Sequence, residues 1–175
     1  MEELQEFEEE PSILKKVLLI IASIIVVSLL LFYFLVSPQA KNVLYGFIES
    51  SKLENQTLQI DKITKIIFNN ESLTVLNNLY DQNLDKEFKV CLKGTKTNNI
   101  YYIQETIQPK TFLQEFNRVI SEPCSKDFLV SLHTHPLKHC LPSQIDIKNF
   151  QNFKRKNSDA LLAIMCEKDR FNIYI

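Results

Sequence analysis

The sequence predicts an α/β sandwich carried behind one transmembrane helix. Three observations lead there. The uncharged apolar run "VLLIIASIIVVSLLLFYFLV", residues 17–36, is about 20 residues long, and a helix rising ~1.5 Å per residue would carry it across a ~30 Å hydrocarbon core. Beyond it, short segments with the period-2 pattern of strands alternate with segments of helical spacing. The rest of the chain, from about Lys41 to Ile175, is long enough for one compact domain with its own core and too short for two.

The elements follow in order. Residues 1–14, beginning "MEELQEFEEEPS", read as a solvated acidic tail, and 15–37 as the transmembrane helix. A cleavable secretory signal has a shorter apolar region behind a basic head, and "SPQAKN" after the run is a poor cleavage site, so the helix is expected to stay as a single-pass anchor. Lys15 and Lys16 flank one end and Lys41 the other, a margin of one that favours a cytoplasmic N-terminus and an outward-facing C-terminal domain. Residues 38–57 have no sustained period and read as a juxtamembrane connector, with the domain at 58–175.

Within the domain, "ITKIIF" has a strand's β-branched content. "NNES" then supplies cap chemistry before Leu73, Leu76 and Leu79, which lie on one helical face. "KEFKVCLKG" alternates Phe88, Val90 and Leu92 as a strand closed by Gly94, and "NNIYYIQETIQP" is its hairpin partner. "TFLQEFNRVI" is expected as a short helix and "FLVSLHTH" as another strand. "SQIDIKNFQNFKRK" puts Ile145, Phe150 and Phe153 on a helical face, and "ALLAIMC" and "RFNIYI" close the domain around the turn "EKDR".

A net charge of -1 and a pI of about 6.3 leave no basic surface to recommend nucleic acid as a partner. Cys91, Cys124, Cys140 and Cys166 lack the close paired spacing of a structural zinc site. Their even number permits disulfides outside the cytoplasm, and burial as small apolar side chains explains them equally well.

Chemistry concentrates in "SLHTHPLKHCLPSQID", residues 131–146, which holds all three histidines. His133 and His135 are two apart, so on a strand both leave the same face and can converge on one ion. Zinc takes imidazole readily and at catalytic sites keeps three protein ligands. Asp146, in the first turn of the expected helix, offers the third once the loop after Pro136 folds that turn back over the histidines. Ser143 to Asp146 also fits the S-x-x-[DE] capping box, which needs no metal. Thr134 points to the opposite strand face and is expected to pack, and His139 is expected to be exposed or structural.

His133, Thr134, His135, seven residues, Ser143, two residues and Asp146 match H-[ST]-H-x7-S-x-x-D in full, with Pro136 in its usual place. In this the chain resembles the JAMM/MPN (JAB-type) zinc metalloproteases, and the order of elements from about Ile63 to Ile175 resembles theirs as well. The resemblance implies the MPN/JAB-like mixed sheet flanked by helices, a cytidine-deaminase-like sandwich. It also implies Zn2+ held by His133, His135 and Asp146, and Ser143 stabilising the oxyanion or positioning the attacking water.

It further implies an upstream glutamate that takes a proton from the zinc-bound water and returns it to the leaving amine. Glu71, Glu87 and Glu105 are the candidates, and Glu87 in "EFKVCLKG" looks like the family's "E, apolar strand, G" segment. The implied protein is a membrane-anchored zinc metallopeptidase, or isopeptidase, acting on proteins or peptides such as ubiquitin-like conjugates, with residues 17–36 in the bilayer. The alternative is a non-catalytic MPN scaffold that recruits a partner at the membrane. Cys140 in the active-site loop and Cys166 at the end of the strand after the helix are expected to pair if the domain faces outward.

Overall fold

The computed structural model describes residues 12–136 and 139–175, with the backbone alone at Pro38 and Gln39. Of the acidic tail expected at 1–14, residues 1–11 therefore lie outside the described part. The chain divides into two compact units, Met1–Lys41 and Asn42–Ile175.

The first unit contains α1 (Ile13–Val36), whose 24 residues span ~36 Å at the α-helical rise and bury none of their side chains. It is long and apolar enough to cross a membrane. Ser23 returns its hydroxyl to the Leu19 carbonyl at 2.8 Å, so its polar group is satisfied within the helix.

In the second unit eight strands form one hydrogen-bonded circuit, in the order β1 (Ser51–Glu54), β10 (Arg170–Tyr174), β9 (Leu161–Glu167), β8 (Val130–Thr134), β4 (Lys89–Thr97), β5 (Ile100–Ile107), β3 (Lys65–Phe68), β2 (Thr57–Gln59) and back to β1. The sheet is mixed: β3 with β5 and β8 with β9 are parallel and the rest antiparallel. It is a closed barrel where a plain α/β sandwich was expected. The closing strands come from the segment expected as a connector, 38–57, which forms α2 (Pro38–Glu49), β1 and the first residue of β2. Asn55 and Gln56, at φ 47° and 66°, turn the chain tightly so that β1 reaches β10 and β2 reaches β3.

Two further expectations change. "TFLQEFNRVI" forms a hairpin, β6 (Thr111–Glu115) with β7 (Arg118–Ser121), and not a helix. Its apolar residues fit a helical period, but each half pairs with the other across Phe116–Asn117, and a strand pair satisfies the backbone of so short a segment better than two helical turns would. Gly94 does not close its strand; β4 passes through it at a register shift, where a Cβ would stand 1.8 Å from the Tyr102 carbonyl oxygen.

Period-2 alternation sorts β9 between two cores. Leu161, Ala163 and Met165 join Val90, Leu92, Val130, Leu132 and Phe171 in the larger one, which α3 (Asn70–Gln82) completes with Leu73, Leu76 and Leu79. Leu162 and Ile164 face the other way, onto Phe150 and Phe153 of α4 (Gln144–Lys156) and the Cys91–Cys124 disulfide. Ile145, expected on that helical face, is 70 % exposed instead; five residues before Phe150 it lies off that face, and Ile147, three residues before Phe150, packs there. The unit β8–α4–β9 is thus a parallel pair with its crossover helix on the face that carries His133.

Candidate metal centre

The centre forms where β8 ends, beside the first turn of α4. In β8, Ser131 and His133 face α4 while Val130, Leu132 and Thr134 face the larger core. His135 follows the strand, its N–H donating to the Met165 carbonyl at 3.2 Å, so the pairing with β9 continues one residue past Thr134. Both imidazoles are buried, and their Nε2 atoms stand 3.1 Å apart.

Asp146 approaches from α4. Ser143 caps the helix: its Oγ accepts the Asp146 N–H at 3.2 Å, while Asp146 Oδ2 accepts the Ser143 N–H at 2.7 Å. This reciprocal box leaves the carboxylate one orientation, with Oδ1 at 3.2 Å from His133 Nε2 and Oδ2 at 3.5 Å from His135 Nε2. The capping box and the ligand position are therefore one arrangement. Burial acts to raise the Asp146 carboxyl, but hydrogen bonds with the two histidines and Ser143 outweigh it and hold the group well below the usual carboxylate range. Burial keeps His133 neutral by lowering its pKa, the form in which it can act as a ligand.

These donors fit zinc. Four ligands at ~2.0–2.1 Å in a tetrahedron lie about 3.3–3.4 Å from one another. Here the two imidazole nitrogens are 3.1 Å apart, close to such an edge, while Asp146 meets His133 through Oδ1 at 3.2 Å and His135 through Oδ2 at 3.5 Å; with one donor atom taken from each residue, all three lie within 4.8 Å of one another. Two imidazole nitrogens and a carboxylate directed at a common point are the donor set a divalent cation compensates.

Of the three glutamates, Glu87 alone reaches this point, its Oε1 3.8 Å from His135 Nε2. Glu71, in the first turn of α3, and Glu105, opposite Lys93 on β5, are exposed. Glu87 precedes β4 and is held at the backbone, its N–H donating to the Glu115 carbonyl at 2.9 Å in the hairpin. Burial pushes its carboxyl up to about 7, against the pull of His135.

Thr134 does more than pack. Its Oγ1 accepts the Phe88 N–H at 2.9 Å and its own N–H donates to the Phe88 carbonyl at 3.0 Å, which locks the residue after Glu87 to the residue between the two histidines. The Thr in H-T-H was the available signal, since a β-branched hydroxyl satisfies a buried strand N–H that Val would leave orphaned.

His139, expected as exposed or structural, stacks on His135 with Nδ1 to Nδ1 at 3.4 Å. That is where a ligating imidazole's second nitrogen needs a partner to set its tautomer. The next residue, Cys140, is bonded to Cys166 at the end of β9, with Gly46 of α2 close enough that a Cβ there would meet Cys140 at 3.0 Å. Crosslinks closing loops of 33 and 26 residues stabilise by roughly 3–4 kcal/mol each in the chain-entropy account.

No family model matches the chain, and no curated protein matches it. Among solved structures it is similar to a JAB1/MPN domain protein from Archaeoglobus fulgidus, over 61% of this chain and 86% of that one, at 20% identity and a TM-score of 0.40. The functional reading therefore rests on the residues of the centre itself.

Proposed function

We propose that this chain is a membrane-anchored, zinc-dependent metallopeptidase of JAMM/MPN type that hydrolyses amide or isopeptide bonds of protein or peptide substrates, ubiquitin-like conjugates among them. The observation that carries the reading is the convergence of His133, His135 and Asp146, one donor atom from each within 4.8 Å of the others, with the Glu87 carboxylate alongside. The complete motif and the order of elements around it support the family. The apolar length of α1 supports an anchor at 15–37, and two disulfides support an oxidising compartment around the domain, which β1 and β2 extend from the expected 58–175 to the unit Asn42–Ile175.

His133, His135 and Asp146 would hold the metal. Bound zinc supplies Lewis acidity toward the substrate carbonyl and acidifies water. Glu87 takes a proton from the attacking water and hands it to the amine nitrogen as the C–N bond breaks, a task its place beside His135 suits. The Ser143 hydroxyl accepts from the Asp146 N–H, which leaves its own proton to donate to the developing oxyanion. Thr134 keeps Glu87 in register, and His139 keeps His135 turned inward.

The test uses the full chain in neutral detergent micelles, with metal content read by mass spectrometry and turnover on linear and lysine-linked fluorogenic peptides. About one zinc per chain is expected, with Glu87→Gln retaining zinc while kcat falls by about 10²–10⁴-fold. A chain without zinc, or a Glu87→Gln variant at wild-type rate, overturns the proposal. Zinc binding without turnover on any substrate points to the scaffold reading.

A further inference from the structure

The centre opens into a groove bounded by β7 of the hairpin and by α4, and the charge of its lining is one-sided. Among the described residues its acidic ones are Glu87 and Asp146, both committed to the centre, while Lys89, Arg118, Arg155 and Lys156 all line it. Over the whole chain 20 basic side chains are balanced by 21 acidic ones, so this sorting is local.

The dipole of α4 favours cations in its last turn, which accounts in part for Arg155 and Lys156. It does not account for Arg118 on β7 or Lys89 on β4. Lys89 stands opposite His133 in the β4–β8 ladder, so its side chain leaves the sheet on the same face as the ligand. Its Nζ donates to the Glu122 carbonyl at 3.2 Å. Among the described residues no carboxylate forms an ion pair with any of the four cations.

We propose that this groove selects acidic substrates: carboxylates flanking the scissile bond pair with Arg118, Arg155 and Lys156 along its walls and with Lys89 beside the metal ligands. The inference rests on the peptidase reading and names the substrate class for the same site. Arg presents a planar fork to a carboxylate and Lys a compact charge, so the walls bind carboxylates without demanding one backbone pose. A peptide bearing Lys or Arg in these positions meets like charge and is disfavoured.

The test separates recognition from turnover by using the zinc-loaded full-length Glu87→Gln chain in neutral detergent micelles and labelled peptides read by fluorescence anisotropy. Peptides of one scaffold carry Glu, Gln or Lys on either side of the central bond, each with a free or an amidated C-terminus. Glu peptides are expected to bind about tenfold or more tightly than Gln peptides at low salt, with Lys peptides weakest and the preference shrinking as salt rises.

Combining Arg155→Gln with Lys156→Gln should reduce the Glu over Gln ratio severalfold while zinc content stays at one per chain, and Lys89→Met should reduce it further. If the advantage follows the free C-terminus rather than the side chains, the carboxylate recognised is the terminal one. Equal binding of all three peptides, a preference for Lys, or no binding overturns the inference. The peptidase reading fails separately, if wild-type chain cleaves none of the peptides that the Glu87→Gln chain binds.

Discussion

Helices α3 and α4 both start on a polar residue whose side chain accepts the third N–H of the helix: Asn69 from Ser72 at 2.8 Å, Ser143 from Asp146 at 3.2 Å. Both carry one acid in the first turn, Glu71 and Asp146, where the helix dipole welcomes it. The difference is what stands opposite. The start of α3 faces β5, where Asn69 donates to the Gln104 carbonyl and to that of Ile103, and Glu71 is left in solvent. The start of α4 faces the end of β8, so the same cap holds a carboxylate against two buried imidazoles. Cap chemistry is local, and whether it becomes a site depends on the strand that the fold brings across.

Removing the two caps sharpens this contrast most. Asn69→Ala and Ser143→Ala are each expected to cost ~1 kcal/mol of stability in denaturant melts. Only Ser143→Ala should also lower kcat, by about 10²-fold, through the lost oxyanion donor. Equal activities in the two variants would reduce Ser143 to a cap.

Thr134 extends the comparison to β4. Thr134→Val leaves the buried Phe88 N–H without an acceptor, at a cost of roughly 1–3 kcal/mol, and should lower kcat while zinc content holds. Thr134→Ser keeps the acceptor and should restore both. A Val variant with wild-type kcat would detach Thr134 from the placement of Glu87.

Glu87 makes the metal-free chain sensitive to pH. Its carboxyl, raised from 4.5 to about 7, keeps its proton in the folded state over a range where the unfolded chain has released it. Stability in chelator is therefore present at low pH and is lost as pH rises from 4.5 through about 7, by on the order of 3 kcal/mol in all. Glu87→Gln should lack that slope, matching wild type near about pH 4 and exceeding it near about pH 8. Parallel stability profiles for the two proteins would contradict the assignment. The smallest effect belongs to Glu71: Glu71→Gln should change stability by less than about 0.5 kcal/mol and leave turnover and zinc unaltered.

Much of the site was legible because its parts are close in sequence. His133 and His135 share a strand face by period 2, and Ser143 and Asp146 share a helix start by a spacing of three. Phe150 and Phe153 were assigned correctly to the buried face of α4, whereas Ile145 was not: its spacing from Phe150 already puts it off that face, where Ile147 packs. The β6–β7 hairpin was illegible because Phe112, Phe116 and Ile120 suit a helix as well as two short strands. Closure of the barrel was illegible because β1 and β2, of 4 and 3 residues, are too short to show a period.

Alone, the sequence determined the elements whose causes are local: the apolar length of α1, the capped starts of α3 and α4, and the two-residue step that aligns His133 with His135. Only the tertiary structure decided that β1 and β2 close the sheet, that His139 backs His135, and that Glu87, 48 residues before His135, arrives 3.8 Å from it. Those contacts join segments far apart in the chain, and their free energy comes from burial and strand pairing that no local pattern records.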